Sequence, residues 1–294
     1  MPIACVNGIR LHYHLKGNKG IPILFVPPPL LTEESFQYQK IQLADRFRVL
    51  TYDVRGHGHS EPSREPLTYP LLVEDIRQLL DLLQLPQVYI CGYSTGGQLA
   101  LAAMLTYPDR FLGGIIVSGM PGVSDWYLRM RITLAEWFTR LRLKRALTSL
   151  ISLGNADSLR TFRNLYGSAR LGDVRNLGQY YRISKKTSYV SRLGEITKPM
   201  LLIYGSKDKG FYRYADVLHR RLPNSTLCML QNQKHHIPMK AARDMNELIA
   251  QFITSPARFA ETGRTTARAG QIPLFPIPEG AAPPPETSPE ETRQ

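Results

Sequence analysis

Six short apolar runs punctuate this chain, at residues 21–26, 48–52, 87–91, 114–118, 199–204 and 226–230. Each is bounded by Gly, Pro or polar residues, as a strand buried on both faces should be. Segments with helical spacing lie between most of them. Residues 70–84 set Leu72, Ile76, Leu79 and Leu83 on one face, with acids between them and Pro86 ending the run. Residues 33–46 are polar enough for a surface helix, and residues 96–106 and 240–253 read as two more helices. Strands that alternate with helices of this length need crossover connections, which build a parallel sheet with helices on both faces. Ahead of the first run, Asn7-Gly8 sits between alternating residues, and both positions of such a turn need φ > 0. The chain is therefore expected to open with an antiparallel hairpin.

The alternation breaks over residues 121–195, which read as helical throughout. Trp126, Met130, Leu134, Trp137 and Leu141 form an apolar stripe expected to pack on the core. The predicted organisation is a core of residues 1–120 and 196–255 with a helical cap, or lid, over 121–195. A helical insertion at the carboxyl edge of a parallel sheet covers the place where such sheets bind ligands. The charge is concentrated here too. The whole chain carries +13, and residues 121–195 hold fourteen Lys/Arg against five Asp/Glu, a net of +9. A solvated basic face is the bland explanation, and an anionic substrate or acidic surface is the sharper one. Residues 126–147 are amphipathic and basic, a pattern that also suits contact with an anionic membrane surface.

A chain of 294 residues buries enough surface to fold as one domain without disulfides. Cys5, Cys91 and Cys228 form no CxxC pair. An odd, scattered set favours buried thiols in a reducing compartment. No apolar run is long enough for a signal peptide or a spanning helix, so a cytoplasmic location without stable membrane insertion is expected. No nucleic-acid-binding signature appears. Neither HExxH nor a Cys/His ligand spacing occurs, so neither cofactor nor metal is expected. Residues 256–294 are rich in Pro, Gly and Glu and read as a disordered tail. Oligomeric state is not legible.

Residues 92–96 read Gly92-Tyr93-Ser94-Thr95-Gly96. A serine hydroxyl is a poor nucleophile unless a base lies within hydrogen-bond reach and a third group orients that base. A tight strand-to-helix turn lifts the hydroxyl clear of the sheet. It also crowds the side chains two residues before and after it, where glycine relieves the contact. The strand at 87–91 and the helix at 96–106 supply that context. The helix N-terminus behind Ser94 adds positive potential where negative charge would develop.

At this point the chain resembles the α/β-hydrolase superfamily, over about residues 3–254. The carriers are GYSTGG at 92–97, DVRGHGHS at 53–60, YGSKD at 204–208 and KHHIP at 234–238. The resemblance implies a mostly parallel eight-stranded sheet, a cap, and a catalytic set in the order Ser, acid, His. Asp208 follows the strand at 199–204, where a carboxylate can hold an imidazole in one tautomer. Asp125 and Asp216 follow no strand directly and are weaker candidates. For the base, loop length selects His235, whereas the family's His-x-Pro pattern selects His236 through Pro238. Loop length fixes reach, which comes first for a base, so His235 is expected, with His236 as the alternative. Asp53 and Arg55 in the strand-end motif can pair with each other, and His57 and His59 are at most pocket-rim residues. The oxyanion donors implied are the N–H of Thr95 and one from the loop after residues 21–26. That loop reads Pro27-Pro28-Pro29, where relatives carry His-Gly, and proline has no N–H. The first available donors are Leu30 and Leu31.

The expected function is a serine hydrolase of the EC 3.1.1 class, acting on a small-molecule ester, thioester or lactone, an anionic one among the options. Carbon–carbon bond hydrolysis and perhydrolase chemistry use similar residues on the same fold. The competing class is a non-catalytic binding or signalling protein on this scaffold, for which the proline loop is the best argument.

Overall fold

The computed structural model describes residues 2–255. The hairpin is present: β1 (Ile3–Val6) and β2 (Ile9–Lys16) pair antiparallel, and Asn7 and Gly8 take φ values of +46° and +74°. Six parallel strands follow, β3 (Pro22–Val26), β4 (Arg48–Tyr52), β5 (Val88–Tyr93), β6 (Phe111–Val117), β7 (Met200–Gly205) and β8 (Ser225–Leu230). With β2 antiparallel against β4, they form one eight-stranded sheet in the order β1-β2-β4-β3-β5-β6-β7-β8. The chain leaves β3 towards β4 on one side and returns to its other side as β5. That reversal opens a crevice at the carboxyl ends of β3 and β5, where doubly wound sheets bind ligands. The proline loop leaves one lip of this crevice and Ser94 the other.

Helices cover both faces. The predicted surface helix is a 3₁₀ turn (Glu33–Phe36) and the short α1 (Gln37–Gln42). It is less superficial than its polarity suggests. Gln39 is fully buried, and its Nε2 donates to the Pro238 carbonyl at 3.1 Å and to Asn246 Oδ1 at 3.0 Å, so its amide nitrogen is partnered. α2 (Tyr69–Leu82) starts at Thr68, whose hydroxyl accepts from Leu71 N–H, with Pro70 in its first turn. α3 (Gly96–Thr106) is buried along most of its length, against the sheet. α4 (Trp126–Arg140), α5 (Lys144–Asn155), α6 (Leu159–Ala169) and α7 (Val174–Lys186) lie between β6 and β7. α8 (Tyr212–Arg221) follows β7. The predicted final helix is two, α9 (Ile237–Lys240) and α10 (Ala242–Thr254), broken where Ala241 leaves helical geometry at φ −135°.

Three expectations are corrected. The apolar stripe of α4 does not pack on the core: Trp126 is 74% exposed, and Met130, Leu134, Trp137 and Leu141 also face outward. The inward face is Leu128, Ile132, Ala135, Glu136 and Thr139. Glu136 is tolerated there because Arg140, Arg182 and Lys185 surround it, and together they hold its carboxyl down at about 2 despite burial. Asp53 and Arg55 do not pair with each other. Arg55 forms a buried ion pair with Asp75 of α2, whereas Asp53 meets His12 Nδ1 at 2.9 Å and accepts from Glu33 and His59 N–H. Both arrangements pin the turn after β4 to its neighbours, and neither reaches Ser94. Of the thiols, Cys91 and Cys228 are buried but Cys5 is exposed on the edge strand β1. The Pro-rich tail at 256–294 lies outside the described residues.

Candidate active site

Ser94 sits between β5 and α3 with φ +52°, a left-handed conformation that L-residues adopt at a cost. Its N–H donates to the Val117 carbonyl at 2.9 Å, and its own carbonyl accepts from Gly97 N–H at 3.0 Å. These bonds hold the turn closed. The flanking glycines are required by space: a Cβ on Gly92 would stand 2.6 Å from Gly97 Cα, and one on Gly96 2.4 Å from the Val26 carbonyl oxygen.

His235 Nε2 lies 2.9 Å from Ser94 Oγ, and His235 Nδ1 lies 2.8 Å from Asp208 Oδ2. The three side chains thus form one hydrogen-bonded line across 141 residues of sequence. The loops carrying the acid and the imidazole are tied together. Ser206 N–H donates to Leu230 O and Lys207 N–H to Gln233 O, and Asn232 N–H donates to Ser206 Oγ at 2.8 Å. The loops approach so closely at Gly205 that a Cβ there would lie 2.4 Å from the Gln233 carbonyl. Phe211 packs on the imidazole, ring centres 4.3 Å apart, and Tyr93 lies against it at 5.7 Å. The ring therefore has one orientation, with one nitrogen facing the carboxylate and the other the hydroxyl.

His236 makes neither bond. It precedes α9, and burial with the neighbouring His235 and Lys240 pushes its pKa down to about 4, so it is neutral near pH 7. The other candidates have structural partners. Asp125 caps α4 through Leu128 N–H at 2.8 Å and accepts from Tyr214 Oη. Asp216 pairs with Arg220 at 2.6 Å on α8. His57 is buried beside Tyr180 of α7, with Nδ1 on the Arg55 carbonyl at 3.1 Å, and burial lowers its pKa to about 4. Neither His57 nor the exposed His59 lines the cavity over Ser94.

That cavity has a volume of about 450 Å³. Its floor is Ser94, Thr95, His235 and Phe211, and its roof comes from α4, α5 and α7. Tyr93 Oη donates to Asn155 Oδ1 at 2.9 Å, which ties the serine turn to α5. The walls are mostly Leu, Ile, Phe and Ala, and Arg131 is the one Lys, Arg, Asp or Glu among the lining residues. Pro28 and Pro29 line it, and so does Leu31, whereas Leu30 does not. Leu30 takes φ +72° and turns its buried side chain into the core, which sets the path of the loop. The N–H groups of Thr95 and Leu31 donate to no backbone or side-chain acceptor among the described residues. Those residues hold no group of three or more His, Cys, Asp and Glu able to bind a metal ion.

A family profile described as alpha/beta hydrolase fold matches residues 31–242. The chain belongs to the α/β-hydrolase family. Serine hydrolase BPHL of Homo sapiens is 26% identical over 268 residues, covering 84% of this chain and 84% of that protein. The 3-oxoadipate enol-lactonase 2 of Acinetobacter baylyi is 26% identical over 204 residues, covering 68% of this chain and 76% of its own. Among solved structures, the enol-lactonase from Burkholderia xenovorans matches with a TM-score of 0.76 at 22% identity, over 86% of this chain and 100% of that one, and so shares the fold. Sequence reasoning missed Phe211, Tyr93 and Asn155 as supports of this α/β-hydrolase site. Phe211 lies three residues beyond Asp208, and that nearness to the acid is its one signal in the sequence. Asn155 has no signal, because its role depends on how α5 packs over the serine turn.

Proposed function

We propose that this α/β-hydrolase is a serine hydrolase of the EC 3.1.1 type, cleaving an ester, thioester or lactone through an acyl-enzyme on Ser94. The observation that carries the reading is the continuous line Ser94–His235–Asp208, with bonds of 2.9 and 2.8 Å and an imidazole packed in place. Ser94 Oγ attacks the carbonyl carbon while its proton passes to His235 Nε2. The imidazolium is stabilised by Asp208 and then protonates the departing oxygen or sulfur. Water repeats the sequence in reverse roles and releases the acid. The tetrahedral oxyanion is held by Thr95 N–H and, in this reading, by Leu31 rather than Leu30, because only Leu31 lines the cavity.

The helices α4–α7 act as a cap in this scheme. They give the acyl group an apolar chamber of a size suited to a small molecule. Arg131 supports a substrate that carries an anionic group. The hydrolase and lactonase relatives support the same reaction class. A second reading, a non-catalytic binding protein, rests on one observation: Pro28 and Pro29 occupy cavity wall where N–H donors would serve. A panel of short p-nitrophenyl esters, thioesters and lactones separates the two. Turnover that Ser94→Ala abolishes supports the hydrolase. Binding of these compounds without turnover by the native chain supports the other.

A further inference from the structure

The outward stripe of α4 has no role in the chemistry above. Trp126, Met130, Leu134, Trp137 and Leu141 are 49% to 74% exposed, and Leu150 and Leu153 of α5 are each 66% exposed. At helical spacing the five α4 side chains fall within an arc of about 80° and run for about 22 Å along the axis. Arginines border this strip. Arg129 and Arg140 fall on one flank and Arg131 on the other, with Arg142 and Arg145 beyond its end. Arg140 is paired with Glu136 at 2.7 Å, but Arg129, Arg131, Arg142 and Arg145 have no carboxylate partner among the described residues. The strip is also continuous with the cavity, since Leu134 and Leu150 are both exposed and part of its wall. Arg131 and Phe138, which line the cavity as well, lie on that same flank of α4.

An isolated exposed leucine needs no explanation, whereas a contiguous apolar strip edged by unpaired cations does. We propose that the outer face of α4 and the adjoining edge of α5 dock on an anionic lipid surface. Two indoles within an apolar face, with guanidinium groups at its border, match the headgroup region of a bilayer, where the rings lie at the interface and the cations meet lipid phosphates. A second copy of the chain is a poorer occupant. A twofold contact through this face would set the unpaired arginines of one copy near those of the other. The docking is superficial, because no described helix is long and apolar enough to cross a membrane. In that pose the cavity wall at Leu134 and Leu150 faces the lipid, so an acyl substrate can pass from the bilayer to Ser94. That last step rests on the proposed hydrolase reading, and the docking itself does not.

The test is direct because Trp126 and Trp137 are the only tryptophans in the chain, so all indole fluorescence reports on this face. Phosphatidylglycerol vesicles are expected to shift the emission of the full chain to the blue and to pellet it. High salt should reverse both effects, and phosphatidylcholine vesicles should produce neither. Replacing Arg142 and Arg145 together by Ala removes two cations and is expected to weaken vesicle binding on the order of thirtyfold. Trp126→Ser with Trp137→Ser should largely abolish pelleting. Ser94→Ala should bind vesicles like the native chain, so a failure of docking and a failure of the catalytic reading are separately visible. Three results would overturn the proposal. One is no shift and no pelleting with phosphatidylglycerol. Another is equal binding by the double Trp variant. The third is emission already blue without lipid, whether it depends on protein concentration, as copies in contact would give, or not, as cover by another part of the chain would give.

Discussion

Replacing Asp208 by Asn changes one atom and removes one charge, leaving the volume of the side chain nearly untouched. In the native site Asp208 Oδ2 accepts from His235 Nδ1 at 2.8 Å, and the two side chains are only 14% and 20% exposed. An Asn amide can face the ring in two ways. With its NH₂ towards Nδ1, it forces the proton onto Nε2, and the ring can no longer accept from Ser94. With its oxygen towards Nδ1, the tautomer survives but the imidazolium formed at the transition state loses its counter-charge. For unit charges about 4 Å apart at an effective dielectric of about 20, that attraction is roughly 4 kcal/mol. Partial exposure reduces it and the tautomer penalty adds to it, so kcat/KM is expected to fall by about 10²–10⁴. The assay is hydrolysis of a p-nitrophenyl ester, with the unfolding midpoint measured in parallel. The loss should lie in kcat rather than KM, because the imidazolium exists only after attack begins. A fully folded Asp208→Asn enzyme losing less than about tenfold would refute the reasoning.

Four further results are expected. His235→Gln should lose roughly 10³-fold or more in kcat, whereas His236→Gln should change it by less than about tenfold, measured on the same ester. Gly96→Ala should destabilise the fold by about 1–3 kcal/mol in denaturant titration, since its Cβ would stand 2.4 Å from a backbone oxygen. Gly97→Ala, whose Cβ would meet Ile116 Cγ2 at 3.4 Å and Gly119 Cα at 3.5 Å, both ordinary van der Waals contacts, should cost less. His57, buried and neutral, has its folded pKa lowered to about 4 from 6.5. The unfolded chain then binds more protons in that window, so stability is full above pH 6.5 and declines as pH falls towards 4, by up to about 3 kcal/mol from this group. The midpoint of His57→Gln should depend less on pH across that window.

Much of the fold was legible because it is written in local pattern. Asn7-Gly8 forces its turn, and the apolar runs that became β3 to β8 are bounded by residues that end strands. The serine turn was legible for a steric reason, since Gly92 and Gly96 mark where a Cβ would strike backbone. The choice between His235 and His236 was not settled by pattern. The difference lies in geometry: His235 meets both Ser94 Oγ and Asp208 Oδ2 and His236 meets neither, while bonds between the loops after β7 and β8 hold that arrangement. The stripe on α4 was misread because that helix is apolar on two faces. Leu128, Ile132 and Ala135 repeat at helical spacing as well as Trp126, Met130 and Leu134 do, and periodicity alone cannot say which row turns inward. Asp53 and Arg55 were misassigned for a related reason: nearness in sequence offered a pair, while His12 and Asp75 from other elements offered better geometry.

Ser94 as the nucleophile is the centre of the account, and covalent labelling measures it most directly. A fluorophosphonate incubated with the purified chain should attach once per molecule. Peptide mass analysis should place the adduct on Ser94, and Ser94→Ala should remain unlabelled. An adduct on another residue, or a native chain that stays unmodified while a known serine esterase beside it is labelled, would contradict the account.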